Sequence, residues 1–273
     1  MSVASPVAEE FSLWLPTSAF SRSGFRDWRD AGGVSDGFQV DRQAGGLVIE
    51  TETPVGLRSV HLPDTVRTLS GFCEWAISSA FPVFGRFTFL DQEIHVDMSP
   101  EEIQTHINIK AEVNRQFANL ARRLKLGTYF PDGTLIRNDP AGLANEPDCT
   151  FVLHDSMRSG KVRLQPRKGY PGEDMALVGS PDIVVEIVSR SSWTKDTCEL
   201  VEKYHAAGIA EYWLIDGLDD KLEFRLLRWR KGGYVAAPAR QGWRKSHVLD
   251  RWFRLTRKQD IDGLWQYTLG VRS

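Results

Sequence analysis

Glu186 stands in the middle of an apolar run, Ile183, Val184, Val185, Ile187 and Val188, inside Pro181-Asp182-Ile183-Val184-Val185-Glu186-Ile187-Val188-Ser189. Such a run reads as a strand covered on both faces. An ionised carboxylate in that setting is costly unless it is paired, hydrogen-bonded or bound to a cation. Asp182 shares its strand face, but four residues of extended chain separate the two by about 13 Å, too far for one metal ion to bridge. A neighbouring strand lies only about 4.8 Å away. Glu146-Pro147-Asp148, leading into Cys149-Thr150-Phe151-Val152, brings a second carboxylate to a strand entry. On residue type alone, Asp148 is either a co-ligand or an ordinary aspartate at a turn after proline. Glu186 is either a ligand or one half of a buried ion pair with an arginine or lysine. Asp182 reads better as a structural residue than as part of a metal site.

A cation is also within reach on paper. Thr194 to Ala207 has a helical pattern, and Lys203 lies eight residues past Lys195, roughly 12 Å along such a helix. Glu186 lies about 10 Å back from the strand end at Ser189. A helix folding back antiparallel over the sheet therefore sets Lys203 level with Glu186. The competing reading is an exposed Glu199–Lys203 pair at i,i+4. His106, near the start of a long helix, reads first as a polar core contact or a solvated side chain. Arg122, Arg123 and Lys125, Lys161 with Arg163, Arg167 with Lys168, and Arg225 with Arg228 and Arg230 could meet phosphates, though each is usually a solvated face. The chain has no phosphate-binding glycine loop, no G-x-S-x-G elbow and no paired-histidine metal motif.

The elements that must position these groups follow from periodicity. Phe38 to Val40 and Leu47 to Thr51 suggest a hairpin with a six-residue loop in an N-terminal addition to the core. Thr65 to Ser78 has a helical period ended by Pro82, with Trp75 as packing. Phe87 to Leu90 and Glu93 to Met98 read as a hairpin about Asp91-Gln92. Ser99-Pro100-Glu101-Glu102 predicts a helix start, with Ser99 as N-cap, and Ile103, Ile107, Val113, Phe117, Leu120 and Leu124 carry the helix to about Lys125, where Gly127 can end it. Short strands are expected at Thr134 to Ile136, Cys149 to Leu153, Val162 to Leu164 and Ile183 onward. After the Thr194 to Ala207 helix, closed by Gly208, comes a buried strand at Glu211 to Ile215. Antiparallel hairpins follow through Leu222 to Trp229, Tyr234 to Ala236 and Trp252 to Leu255. The fold class is mixed α/β, with residues 1–60 as an extension, 61–230 as the core and 231–273 as a β-rich continuation of the same domain.

With 273 residues, 41% hydrophobic and 26% charged, the chain can bury a proper core. Its formal charge of −2 argues against a generally basic coat, so contact with nucleic acid must come from local patches. Cys73, Cys149 and Cys198 are odd in number and widely spaced, which points to a reducing compartment and a cytoplasmic location. The N-terminus, with Glu9 and Glu10, lacks the basic start and apolar core of a secretory signal.

Several stretches together resemble the Uma-two family of restriction-endonuclease-like proteins. These are Leu62-Pro63, Asp91-Gln92-Glu93 before Met98-Ser99-Pro100, His106, Glu146-Pro147-Asp148, and above all Pro181 to Ser189. The line continues through Lys195-Asp196, Lys203-Tyr204, Ala207-Gly208-Ile209 and Glu211-Tyr212-Trp213-Leu214-Ile215-Asp216, so that about residues 62–230 are covered. Gln92 stands where the family commonly has glycine, and Arg190 rather than proline follows Ser189. The resemblance implies a PD-(D/E)XK core, a mixed sheet flanked by helices. It implies a Mg²⁺- or Mn²⁺-dependent endonuclease acting on DNA, with Asp148 and Glu186 as metal ligands and the usual strand lysine moved to Lys203. His106 and Asp182 would be supporting residues, and a homodimer is expected by analogy with the superfamily. A nucleic-acid-binding module without cleavage, or an interaction scaffold built on residues 1–60 and on Trp243, Trp252 and Trp265, are the other classes open to the sequence.

Overall fold

The computed structural model describes residues 11–54, 56–167, 169–219 and 221–273. Met1 to Glu10, with the acidic pair Glu9-Glu10, and Lys168 lie outside the described residues. The protein is mixed α/β, as its periodicities indicate. It divides into two compact units, Met1–Pro100 with Arg190–Trp193, and Glu101–Ser189 with Thr194–Ser273.

The first unit contains β1 (Ser12–Pro16), α1 (Arg22–Asp30), β2 (Phe38–Gln43), β3 (Gly46–Thr53), β4 (Gly56–Pro63), α2 (Leu69–Ala76), β5 (Arg86–Leu90) and β6 (Glu93–Asp97). β2, β3 and β4 form an antiparallel meander. Its first turn is only Ala44-Gly45, because Gln43 pairs directly with Gly46 and Gly45 takes a φ of +87°. The expected loop of six residues is thus corrected to two. The helix expected over Thr65 to Ser78 is broken at Thr68, which is extended and caps the Gly71 N–H with its hydroxyl at 3.1 Å. Asp64–Arg67 forms a separate single turn before it. Trp75 packs edge-on against Phe81 and Phe87, with centroids 4.8 and 5.2 Å away, as a core residue.

β5 and β6 pair about Asp91-Gln92 as expected, and β6 also pairs with β1. Ser99, expected as a helix cap, is used differently. Its hydroxyl donates to Asp97 Oδ1 at 2.6 Å, while Ser191 donates to Asp97 Oδ2 at 2.9 Å and Arg86 reaches the same oxygen at 3.0 Å. A buried carboxylate two residues upstream outcompetes the helix for the serine.

In the second unit the long helix therefore starts later, after Glu102. That carboxylate accepts the N–H groups of Gln104, at 2.9 Å, and of Thr105. A wide π-turn at Ile103–Ile107 leads into α3 (Asn108–Leu124). Lys125, not Gly127, takes the left-handed cap position with φ +53°, and its N–H reaches Ala121 O at 3.1 Å. Gly127 opens β7 (Gly127–Pro131). Then come β8 (Leu135–Asn138), β9 (Leu143–Asn145), β10 (Cys149–Leu153), α4 (His154–Arg158), β11 (Val162–Arg167), β12 (Tyr170–Gly179) and β13 (Ile183–Ile187). The chain ends with α5 (Leu200–Ala206), β14 (Glu211–Asp216), β15 (Glu223–Arg228), β16 (Val235–Ala236), β17 (Arg244–Ser246), β18 (Arg251–Gln259) and β19 (Trp265–Arg272).

The main sheet has the order β16-β15-β14-β13-β10-β7. Its central pair, β13 and β14, is parallel, joined by a crossover through α5, and the remaining pairs are antiparallel. In the same unit β9-β8-β12-β11 form a ribbon, and β17-β18-β19 a meander. Ile183, Val185 and Ile187 on β13 pack with Trp213 and Ile215 of β14 against Val113 and Phe117 of α3, and against Phe253 of the C-terminal meander. This is a sheet with α3 on one face and α5 on the other.

The outer edge of β19 is closed by α3 and the turn before it. Gln104 accepts the Trp265 N–H at 3.1 Å, and Asn108 donates to Trp265 O at 3.4 Å. Glu112 accepts the Leu269 N–H at 2.7 Å, and Gln116 donates to Leu269 O at 3.1 Å. Eight helical residues rise about 12 Å and four strand residues about 13 Å, so the two spacings match.

Candidate active site

Strand alternation puts Glu186 on the face of β13 opposite Val185 and Ile187. That face is covered by the crossover helix, for a reason legible in the chain. Leu200 and Tyr204 are fully buried at i,i+4, and Gly208, at φ +71°, stops the helix where β14 must begin. Tyr204 consequently aims its hydroxyl at the strand and donates to Glu186 Oε1 at 2.5 Å. Asn145, at the end of β9, donates its amide to the same carboxylate oxygen at 2.9 Å and to the Tyr204 hydroxyl at 2.7 Å. Glu186 is 3% exposed. Burial pushes its pKa well above the ordinary carboxylate value, and the nearby Asp196 and Asp148 add to that, against the opposing pull of Lys195 and the Tyr204 hydrogen bond.

Asp148 comes from the adjacent strand. β10 pairs antiparallel with β13 through Cys149↔Val185, and one further step of that register sets Asp148 beside Glu186. The Ile187 N–H donates to Asp148 Oδ2 at 2.8 Å, which fixes the carboxylate against the end of β13. His106 and Lys110, four residues apart at the start of the long helix, both face Asp148. His106 Nε2 is 3.6 Å from Oδ2 and Lys110 Nζ 3.5 Å from Oδ1. Lys110 also binds Glu101 at 2.5 Å and Asp132 at 2.8 Å. Burial works against its charge, but Asp148, Asp132 and Glu101 together hold its pKa up at about 12. Glu146, two residues before Asp148, is pushed up to about 7 by burial and by Asp132.

Asp148 and Glu186 are therefore brought together on neighbouring strands. Asp182 is turned elsewhere, accepting the Leu153 N–H at 2.8 Å, the Ser156 hydroxyl at 2.9 Å and the Lys161 ammonium at 2.9 Å, where it anchors the start of α4. His106 is buried and lies between Glu101 and Asp148. Lys203 is half-buried on α5, one residue before Tyr204 and so about 100° round the helix from the side chain that reaches Glu186. Lys195 also bears on Glu186, drawing its carboxyl towards the charged form; it is buried in the π-turn Lys195–Glu199 and paired with Asp196 at 2.9 Å.

Asn145, Lys110, Lys195 and Tyr204 are not marked out by residue type or by position in the sequence alone. The i,i+4 spacing of His106 and Lys110 was a usable signal. The i,i+4 pair Leu200 and Tyr204 was another, since it marks the buried face of the crossover helix.

The donor set fits a hard divalent cation. Two carboxylates meet at the end of a buried strand, and Mg²⁺ is commonly held by one or two carboxylates while keeping several waters. Among the described residues there is no group of three or more His, Cys, Asp or Glu side chains placed to hold a metal ion.

Among curated proteins no sequence matches the chain. The crystal structure of a "putative nuclease belonging to DUF820" from Anabaena variabilis is similar to it, with a TM-score of 0.49 and 14% identity over 67% of this chain and 90% of that one. The family model Uma2, described as "Putative restriction endonuclease", matches residues 81–257, beginning and ending later than the stretch whose motifs carry the resemblance. That match covers more than half of the chain, takes in both carboxylates, and shows that the protein belongs to the Uma2 family.

Proposed function

We propose that the chain is a divalent-metal-dependent nuclease that hydrolyses phosphodiester bonds of DNA, with Mg²⁺ or Mn²⁺ held by Asp148, Glu186 and a backbone carbonyl near Ile187. The observation that carries this reading is the placing of two buried carboxylates side by side on antiparallel strands, one of them locked by the Ile187 N–H at 2.8 Å. A divalent ion bound there would supply Lewis-acid polarisation of the phosphate and would lower the pKa of a bound water. The chain's own groups do the rest. Tyr204 and Asn145 orient the Glu186 carboxylate. Lys110 and His106 hold Asp148 from the helix side.

Lys195, buried in the turn that opens the crossover, draws the Glu186 carboxyl towards its charged form and can act on charge developing at the phosphate. This is the role the family resemblance gives to Lys203, which lies further along the same crossover and is proposed as the second candidate. The free cysteines, with Cys73 and Cys149 buried and Cys198 exposed, fit a reducing, cytoplasmic setting. No helix among the described residues is long and apolar enough to cross a membrane.

The test is cleavage of plasmid and linear DNA by purified protein with Mg²⁺ or Mn²⁺, beside Glu186→Ala. The expected result is cleavage that is lost in the variant and in chelator. Activity equal in wild type and variant would falsify the assignment.

A further inference from the structure

The C-terminal meander has a second face that the proposed chemistry does not use. Phe253, Leu255, Tyr267 and Leu269 point into the core, so alternation turns Trp252, Arg254, Lys258 and Arg272 outward. Trp243, just before β17, lies across this outer face above Gly270. A Cβ at position 270 would stand 3.2 Å from the indole Cη2, so the close approach depends on glycine.

The aromatic rings and guanidinium groups then alternate in one continuous ladder. Arg240 lies 5.8 Å from the Trp252 ring centre and Arg272 5.7 Å from the same ring. Arg272 lies 4.4 Å from Trp243, and Arg254 closes the series 4.8 Å from Trp243. Three cations are thus held over two indoles, all three arginines being exposed. None of them makes a salt bridge with a carboxylate among the described residues. The acidic groups that border the ladder are Asp250, already ion-paired with Lys245 at 2.7 Å, and Asp260 and Asp262 at the β18–β19 turn beyond Lys258.

A chain with formal charge −2 therefore carries a local array of fixed positive charge. Arginines stacked on indoles have much of their side-chain freedom restricted before anything binds, and their planar forks are suited to phosphate oxygens. Because the indole faces are occupied by guanidinium groups, the array is suited to backbone phosphates rather than to stacking of bases. We infer that the outer face of β17-β18-β19 binds the phosphate backbone of duplex DNA without sequence preference, with Arg240, Arg254 and Arg272 as the phosphate contacts. The inference deepens the nuclease reading, since it supplies the grip on the substrate that the nearly neutral overall charge does not.

The test is fluorescence anisotropy of a labelled 20-base-pair duplex with the full chain in chelator, from 50 to 200 mM salt. Each phosphate contact contributes about 0.9 to the slope of log affinity against log salt. Wild type should therefore lose roughly 40-fold more affinity over that range than the triple variant Arg240→Gln, Arg254→Gln, Arg272→Gln, which loses three contacts. The corresponding triple lysine variant keeps the charge and should keep the slope. Circular dichroism and a urea unfolding curve confirm that each variant folds. The inference is overturned if the glutamine variant matches wild type in affinity and slope, or if wild type binds heparin but no duplex at 50 mM salt.

Glu186→Gln separates this inference from the nuclease reading. It should bind the duplex in chelator with the wild-type slope while losing cleavage. Binding with the predicted slope in a protein that never cleaves removes the nuclease and leaves the face standing. Cleavage with salt-insensitive binding does the reverse.

Discussion

Tyr204→Phe removes one oxygen atom and tests how the site is held. The hydroxyl donates to Glu186 Oε1 at 2.5 Å and accepts from Asn145 at 2.7 Å, in a place where both side chains are almost fully buried. A hydrogen bond to a charged group contributes about 1.5–3 kcal/mol, which corresponds to a factor of about 10 to 100 in an equilibrium that requires the carboxylate form. Asn145 remains in place at 2.9 Å, so Glu186 keeps one donor and its orientation, and the variant should fold. Outer partners of metal-binding carboxylates typically have effects of this same size on metal affinity.

The assay is titration with Mn²⁺, read by electron paramagnetic resonance or calorimetry, followed by the Mg²⁺ dependence of cleavage. Tyr204→Phe should raise the metal dissociation constant by about 10- to 100-fold, whereas Glu186→Gln should abolish binding. An unchanged dissociation constant in Tyr204→Phe, alongside lost binding in Glu186→Gln, would refute the coupling between hydroxyl and carboxylate.

Glu211 is a buried carboxylate with a different task. It accepts from Trp213 Nε1 and the Ser246 hydroxyl on one oxygen and from the His247 and Val248 N–H groups on the other, tying the C-terminal meander to the main sheet. Glu211→Gln places an amide among donors and should cost about 2–4 kcal/mol in urea unfolding. Asp97 resists protonation despite burial, because Arg86, His95 and the hydrogen bonds from Ser99 hold its pKa at about 2, below the ordinary 3.8. Its contribution, about 2 kcal/mol, is present above pH 4 and lost as pH falls through the folded value, so wild type should lose stability between pH 4 and 2 by more than Asp97→Asn does. Lys195→Met leaves Glu186 and Asp196 without their buried cation and should cost about 3–5 kcal/mol. It should also cost about 100-fold in cleavage rate, while Lys203→Ala, on the half-buried side of α5, changes rate by a few-fold at most. Loss of rate in Lys203→Ala alone would return the role to Lys203.

The pairing of Asp148 with Glu186 was legible because it rests on rules that hold within a strand and between neighbours, namely alternation and a fixed interstrand spacing. Four residues of extended chain set Asp182 about 13 Å from Glu186, the adjacent strand entry offers Asp148 as its neighbour, and the family resemblance marks that pair as ligands. Lys195 was not legible, because its placement depends on a π-turn that widens the first turn of the crossover, and no residue pattern in Thr194 to Ala207 announces one. Tyr204 reads as apolar packing in any periodicity argument, and its hydroxyl acquires a role only when the opposing strand position is known. Ser99 shows the reverse failure. The cap signal was sound locally, but Asp97 offered the same hydroxyl a stronger partner, and the helix began at Glu102 instead. β4 and β12 were missed because β4 buries few apolar residues and β12 contains Pro171, Gly172, Glu173 and Asp174, which read as loop.

The row Gln104, Asn108, Glu112 and Gln116 sets a limit on self-association. A strand edge recruits another strand through its unpaired N–H and C=O groups, and those of Trp265 and Leu269 are already satisfied by side chains at matching intervals. A second strand pairing along Trp265 to Leu269 would have to displace these four side chains. The same matching makes the pairing intolerant of length changes. One residue deleted between Gln104 and Gln116 rotates the row by about 100° and leaves the strand edge open to partners it now excludes.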